Sequence, residues 1–429
     1  MIAGARATAS FARARPRASR RGSSITRGVG TTDADVAIPR ARTAATTTAR
    51  FLGRRARGAL ALARVSESDD APAAPAPPPA DAATPPPPAP SRTFDPAVVA
   101  LASEGVDAAL ARVDERLELA MRGEAAGSPD GSDDADALKS ARAAAAAEDE
   151  AVNIVEYLRS VGSLRGYGAA RLVPRRDYDL SELRLNNIEA EKLLSPTEST
   201  ISGLRDVVQR FLLVLFGGWV FFARPSGEQT AGAVAFLGGA LAFDQIAFGG
   251  GVEALILDTL AQATSPSYKS RLQLHEAAHF LVAYLMGILP KGYTLSSLDA
   301  YERYGALNVQ AGCAFCDGAF QREVARGKIG SGSLGRFSCV ALAGISMEYV
   351  AYGFAEGGVA DVRQLDGLLR ALAFSQKKSD SEVRWAVLNT ISILRRHEGV
   401  VRKLAQKMAE GASVGSCVRL IEAELGEDV

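Results

Sequence analysis

Three histidines occur in the chain, and two of them stand four residues apart in His275-Glu276-Ala277-Ala278-His279. On a helix, residues i and i+4 share one face, so both imidazoles can reach a single metal ion. Neutral imidazole nitrogen suits Zn²⁺ at about 2.0–2.1 Å, and catalytic zinc sites keep one position open for water. Glu276 adjoins the first ligand, where it can take a proton from a water in that open position. Ala277 and Ala278 are small and let another element pack close to the metal face. A third protein ligand is required. His397 lies far along an Arg-rich helix, so the better candidates are the carboxylates Glu348, Asp361 and Asp366, which follow or flank glycine-rich turns.

The motif sits among Leu272, Leu274, Phe280, Leu281 and Tyr284, an apolar setting that predicts a buried helix over residues 269–287, stopped by Gly287. Residues 265–429 are the stretch periodic enough to build a core around a site. Further helices are expected over 333–356, 360–372, 379–408 and 414–425, with short strands at 293–295 and 306–309. The expected fold is therefore mainly α, a helical zinc-metallopeptidase-like domain with a small strand insert.

With these residues in view, the chain resembles the peptidase half of the FtsH-type zinc metallopeptidase family. His275-Glu-Ala-Ala-His279 is similar to that family's zinc motif, residues 343–353 to its glycine–alanine–glutamate helix, and residues 357–365 to the segment carrying its aspartate ligand. The resemblance covers roughly residues 272–425. It implies that His275, His279 and Asp361 hold Zn²⁺, that Glu276 is the general base and that Glu348 supports the metal. A plant and algal plastid subgroup lacking the ATPase is the closer likeness, through residues 162–168, the apolar blocks and Glu356-Gly-Gly358. An ATP-driven member would need a Gly-x-x-x-x-Gly-Lys-Ser/Thr loop. Gly327-Lys328-Ile329 lacks both the upstream glycine and the hydroxyl, so no ATPase accompanies the peptidase here. Leu365-Asp366-Gly367 has the form used by site-2-type intramembrane metalloproteases, which makes Asp366 the rival ligand. A third reading is a non-proteolytic membrane assembly or stress factor that retains zinc as structure.

The elements upstream divide by composition. Residues 1–65 carry 14 Arg, no Lys and only Asp33 and Asp35 as acids, which matches an organellar transit peptide, plastid before mitochondrial. The zero net charge of the whole chain, 49 basic against 49 acidic residues, thus hides an acidic remainder and argues against a nucleic-acid partner. Residues 66–96 hold 11 of 19 prolines and read as an extended linker. Residues 97–162 are a helical region: Val106, Leu110, Val113, Leu117 and Met121 form one stripe, and Ile154, Val155 and Leu158 belong to a second. Such a helical pair could cover another domain or bind a partner protein. After a connector at 163–205, the apolar blocks 211–223 and 230–243, within 206–258, suggest a helical hairpin seated in a membrane. Each is shorter than the ~20 apolar residues of a full span. The expected substrates are unfolded or flexible polypeptides, one strand of which would pair near residues 306–309. Cys313-Ala-Phe-Cys316 is expected on a loop, as reduced thiols, a redox pair or half of a second metal site.

Overall fold

A computed structural model describes residues 94–126, 135–304 and 311–426. The expected transit peptide, nearly all of the linker and the expected strand at 306–309 lie outside the described residues. The described chain is mainly helical, with one two-stranded sheet.

The helix α1 (Pro96–Ser103) leads into α2 (Val106–Ala126) and α3 (Ala135–Ser160), which pack along one another. The apolar stripes read from sequence are the packed faces: Leu110, Val113, Leu117, Ile154, Val155 and Leu158 are all buried. This pair covers the rest of the domain. Asp114 Oδ1 accepts from Gly415 N at 2.6 Å and so caps α17 (Val414–Leu425), while Lys291 Nζ donates to Glu148 Oε2 at 3.0 Å. That last pair is 4% and 14% exposed. The inner faces of the pair are therefore occupied within the chain.

A connector with the short helices α4 (Leu180–Leu185) and α5 (Ala190–Leu194) leads to the apolar helices α6 (Ser199–Ala223) and α7 (Gly227–Ala247). They are joined by Arg224-Pro225-Ser226, with Arg224 in the left-handed region at φ 46° and Ser226 capping α7. Both helices extend beyond the uncharged blocks and are long and apolar enough to cross a membrane by length and composition. No residue of α6 is buried, and of α7 only Asp244 is. Asp244 earns its burial by accepting from Val252 N (3.0 Å) and Glu253 N (3.2 Å) at the start of α8 (Gly251–Thr264).

The central element is α9 (Pro266–Leu285). Ser265 Oγ accepts from Tyr268 N, Pro266 stands at the first helical position, and Gly287 closes the end at φ +74°. Every residue from Leu274 to Leu285 is buried, so this half of the helix is packed on all sides. Around it lie β1 (Pro290–Thr294), α10 (Ser297–Tyr304), β2 (Gly312–Phe315), α11 (Gly318–Ala325), α12 (Ser331–Ala341), α13 (Ala343–Tyr352), α14 (Val359–Ala371), α15 (Gln376–Arg396) and α16 (Glu398–Ala409). The strands pair antiparallel, Tyr293 opposite Cys313 and Thr294 opposite Gly312, with an irregularity between Pro290 and Gly292. Cys313 thus stands on a strand, not on the expected loop.

Two expected helices are each divided. The one over 333–356 breaks at Leu342, whose ψ of 1° leaves the helical region, and the one over 379–408 breaks at His397, with ψ 24°. Periodicity does not register such breaks, because the apolar stripe resumes on the next helix in the same core. In both pairs the second helix carries buried residues onward: Met347 on α13, Val401 and Leu404 on α16.

Candidate metal centre

The i, i+4 spacing on α9 brings His275 and His279 together with ring centroids 4.9 Å apart. A second element, the first turn of α14, supplies Asp361. Its Oδ2 lies 3.1 Å from His275 Nε2 and 3.4 Å from His279 Nε2. Ligand atoms from the three residues all lie within 4.8 Å of one another, and the group could hold a metal ion. The histidines are 5% exposed, whereas the Asp361 side chain is 24% exposed, so the site opens to solvent on the Asp361 side.

Each imidazole is oriented from behind. His275 Nδ1–H donates to Glu348 Oε1 at 2.7 Å, and His279 Nδ1–H donates to the Val340 carbonyl at 2.8 Å. Both Nε2 atoms therefore face Asp361, the tautomer arrangement that metal-binding histidines adopt. Glu348, on α13, is itself 1% exposed. Its second oxygen accepts from Glu356 N (2.7 Å), Gly357 N (3.1 Å) and Arg271 (3.0 Å). Both oxygens of this buried carboxylate are therefore hydrogen-bonded.

Backbone approach is as close as the side chains. A Cβ on Gly344 would overlap the His275 ring, and one on Gly358, at φ +78°, would meet Ile345, His275 and Asp361. Glycine is required at both positions, once for space and once also for conformation.

Glu276, 3% exposed, stands beside this cluster with Oε2 buried and without a hydrogen-bond partner. Its backbone carbonyl accepts from the Cys313 thiol at 3.3 Å. Burial raises the Glu276 carboxyl above its ordinary range, partly offset by the neighbouring histidines. A buried carboxylate oxygen without a partner, next in sequence to His275 and within the electrostatic reach of both imidazoles, is a group able to exchange a proton.

The charge arrangement calls for a cation. Burial disfavours ionisation of Glu348 and Asp361, yet the histidine contacts and hydrogen bonds override it and hold Glu348 down at about 2, with Asp361 also lowered. Burial likewise opposes a charged His275, but its two carboxylate partners raise it well above 6.5. Asp361 and Glu348, the latter also paired with Arg271, thus favour a positive charge at His275: a proton, or a metal ion on the same Nε2.

Of the sequence candidates, His275, His279 and Asp361 meet, Glu348 braces His275, and Glu276 lies alongside. Asp366 is elsewhere, its carboxylate 52% exposed and paired with Arg370 one turn on. His397 lines a small cavity with Arg171, Ser392 and Arg396, apart from the metal-site residues. Sequence reasoning missed Arg271, the Val340 carbonyl and Glu356. A backbone carbonyl carries no sequence signal, but Arg271, one turn before His275 on the same helix face, was open to the i, i+4 argument. Comparison with protein-family models, with curated proteins and with solved structures finds no match.

Proposed function

We propose that the chain is a zinc-dependent endopeptidase of the FtsH type, without its own ATPase, acting on unfolded or flexible polypeptides at an organellar membrane, with the plastid favoured by the N-terminal composition. The observation that carries this reading is the convergence of His275 Nε2, His279 Nε2 and Asp361 Oδ2 beside the unpartnered Glu276 Oε2. Ligands about 2.0–2.2 Å from a tetrahedral zinc lie about 3.3–3.6 Å from each other. The two histidine–aspartate separations, 3.1 and 3.4 Å, lie just below and within that range. The donor set, two neutral imidazoles and one carboxylate with a solvent-facing side, suits a zinc with an open position.

When bound, zinc supplies Lewis acidity toward a peptide carbonyl and makes a water a nucleophile near neutral pH. The chain's own groups do the rest. Glu276 accepts the proton of the attacking water at Oε2 and returns it to the leaving amine, a contribution of roughly 10²–10⁴ in rate. Glu348 and the Val340 carbonyl hold the imidazoles in register. The apolar walls of α9 keep bulk water from Glu276, which preserves its raised proton affinity.

Membrane seating follows from α6 and α7. Phe211, Leu213, Val214, Phe222, Phe236 and Ile246 are each more than 60% exposed. At about 1.5–3 kcal/mol for burying each such side chain, these six alone favour transfer to an apolar phase by on the order of 10 kcal/mol. At 1.5 Å per residue the two helices are about 37 and 31 Å long, against a hydrocarbon core of about 30 Å.

The test is hydrolysis of an unfolded protein such as casein by the full chain, wild type beside Glu276→Gln. Cleavage by the wild type, with the variant retaining zinc but slowed at least 100-fold, is the expected result. Zinc in both with cleavage in neither would instead make the chain a non-proteolytic factor with a structural zinc.

A further inference from the structure

The carboxylate of Glu356 joins two parts of the molecule that no sequence pattern connects. It lies in the loop between α13 and α14, and its side chain is 12% exposed. Oε1 accepts three hydrogen bonds from the first turn of the apolar helix α6: Ser199 Oγ, Thr200 N and Thr200 Oγ1, each at 2.6 Å. Oε2 faces Arg271 Nε at 3.3 Å. Arg271, whose guanidinium stacks over Tyr352 at 4.1 Å, then donates to Glu348 Oε2, and Glu348 holds His275 Nδ1. The Glu356 backbone N–H donates to the same Glu348 oxygen at 2.7 Å. Hydrogen bonds, with the Arg271–Glu356 ion pair as one link, therefore lead from α6 to a metal-facing imidazole.

We propose that Glu356 is a positioning residue that latches the first turn of α6 to the Arg271–Glu348–His275 chain, so that the seating of α6 and the retention of metal are coupled. The proposal rests on the metal reading of His275, His279 and Asp361. Its physical basis is that Glu348 has no slack. It is buried and bonded on both oxygens, so a shift of Arg271 or of the 354–358 loop displaces the partner that sets the His275 ring. Arg271 is held in turn by a carboxylate whose other oxygen belongs to α6. Drawing α6 away leaves Glu356 without three donors, so the carboxylate that faces Arg271 is no longer fixed in place. Coupling of this kind is reciprocal: whatever α6 does for the metal, the metal does for α6.

The experiment uses the full chain in phospholipid nanodiscs, stripped of metal and titrated with Zn²⁺ against a competing chelator. The Ser199→Ala/Thr200→Val double variant touches no metal ligand, yet should weaken Zn²⁺ binding about tenfold, the lower end of what outer-shell partners contribute. Glu356→Gln should weaken it similarly, and combining all three substitutions should add little, because they cut the same chain. In the wild type, Zn²⁺ should slow hydrogen–deuterium exchange at the amide of Thr200, and in Glu356→Gln it should not. That wild-type readout is independent of how any variant folds. Binding by the double variant within twofold of wild type, or Thr200 exchange that ignores Zn²⁺, would overturn the latch while leaving the metal centre standing. Unchanged Zn²⁺ binding in His279→Ala would overturn both.

Discussion

Gly344→Ala separates two physical effects that predict opposite results. Gly344 is the second residue of α13, and alanine is favoured over glycine in a helix by at most about 1 kcal/mol, so local propensity alone predicts a protein no less stable. The structure predicts the reverse. A Cβ at this position would lie closer than 3.0 Å to three atoms of the His275 ring, Nε2 among them. Carbon atoms pack at about 3.5–4.0 Å, so the ring must retreat by roughly 1 Å or more, while metal–ligand distances tolerate only about 0.2 Å. The ring has nowhere to go, because Nδ1 is fixed to Glu348 and α9 is packed on all sides. Overpacking of this kind costs about 1–3 kcal/mol, enough to cancel the propensity gain. The metal-free variant should melt at or below the wild-type temperature and bind Zn²⁺ at least 100-fold more weakly, measured by calorimetric melting and chelator competition. A variant that melts higher and binds Zn²⁺ normally would refute the close approach of α13 to His275.

The charge relations make further predictions. Zn²⁺ competes with the His275 proton, so apparent affinity should fall as pH drops, with a midpoint above 6.5; in Glu348→Gln the midpoint should move down and the affinity fall by about 10–100-fold, both read from titrations between pH 5 and 9. Glu348 is depressed to about 2 from an ordinary 4.5. Its contribution to stability is thus present above pH 4.5 and lost as pH falls toward 2, a loss that acid denaturation of Glu348→Gln should lack. Asp361→Asn should remove metal binding, whereas Asp366→Asn should leave it within twofold, by metal analysis of the two purified variants. Phe222→Lys combined with Phe236→Lys should shift the chain from the vesicle pellet to the supernatant in co-sedimentation, without loss of bound metal, because neither side chain approaches the core.

Legibility in the sequence followed the range of the interactions. The His275/His279 pair was readable because an i, i+4 relation is local and helical geometry fixes it. The stripes of α2 and α3 were readable for the same reason, but their docking site was not, since Asp114 meets Gly415 across some 300 residues. Asp361 came from the family resemblance, and no local rule separates it from Asp366; what separates them is that Asp361 stands in the first turn of α14 against α9, while Asp366 turns to solvent. The roles of Glu356 and of the Val340 carbonyl were not legible, since each acts through a contact that only the packed chain creates. The breaks at Leu342 and His397 were missed because both halves of each divided helix present apolar residues to one core.

Metal content decides whether His275, His279 and Asp361 bind zinc. The full chain, purified without chelators, is measured by mass spectrometry beside His279→Ala and Asp361→Asn. One zinc per wild-type chain, absent from both variants, is the predicted result. No zinc in the wild type, or zinc that survives both substitutions, would contradict it.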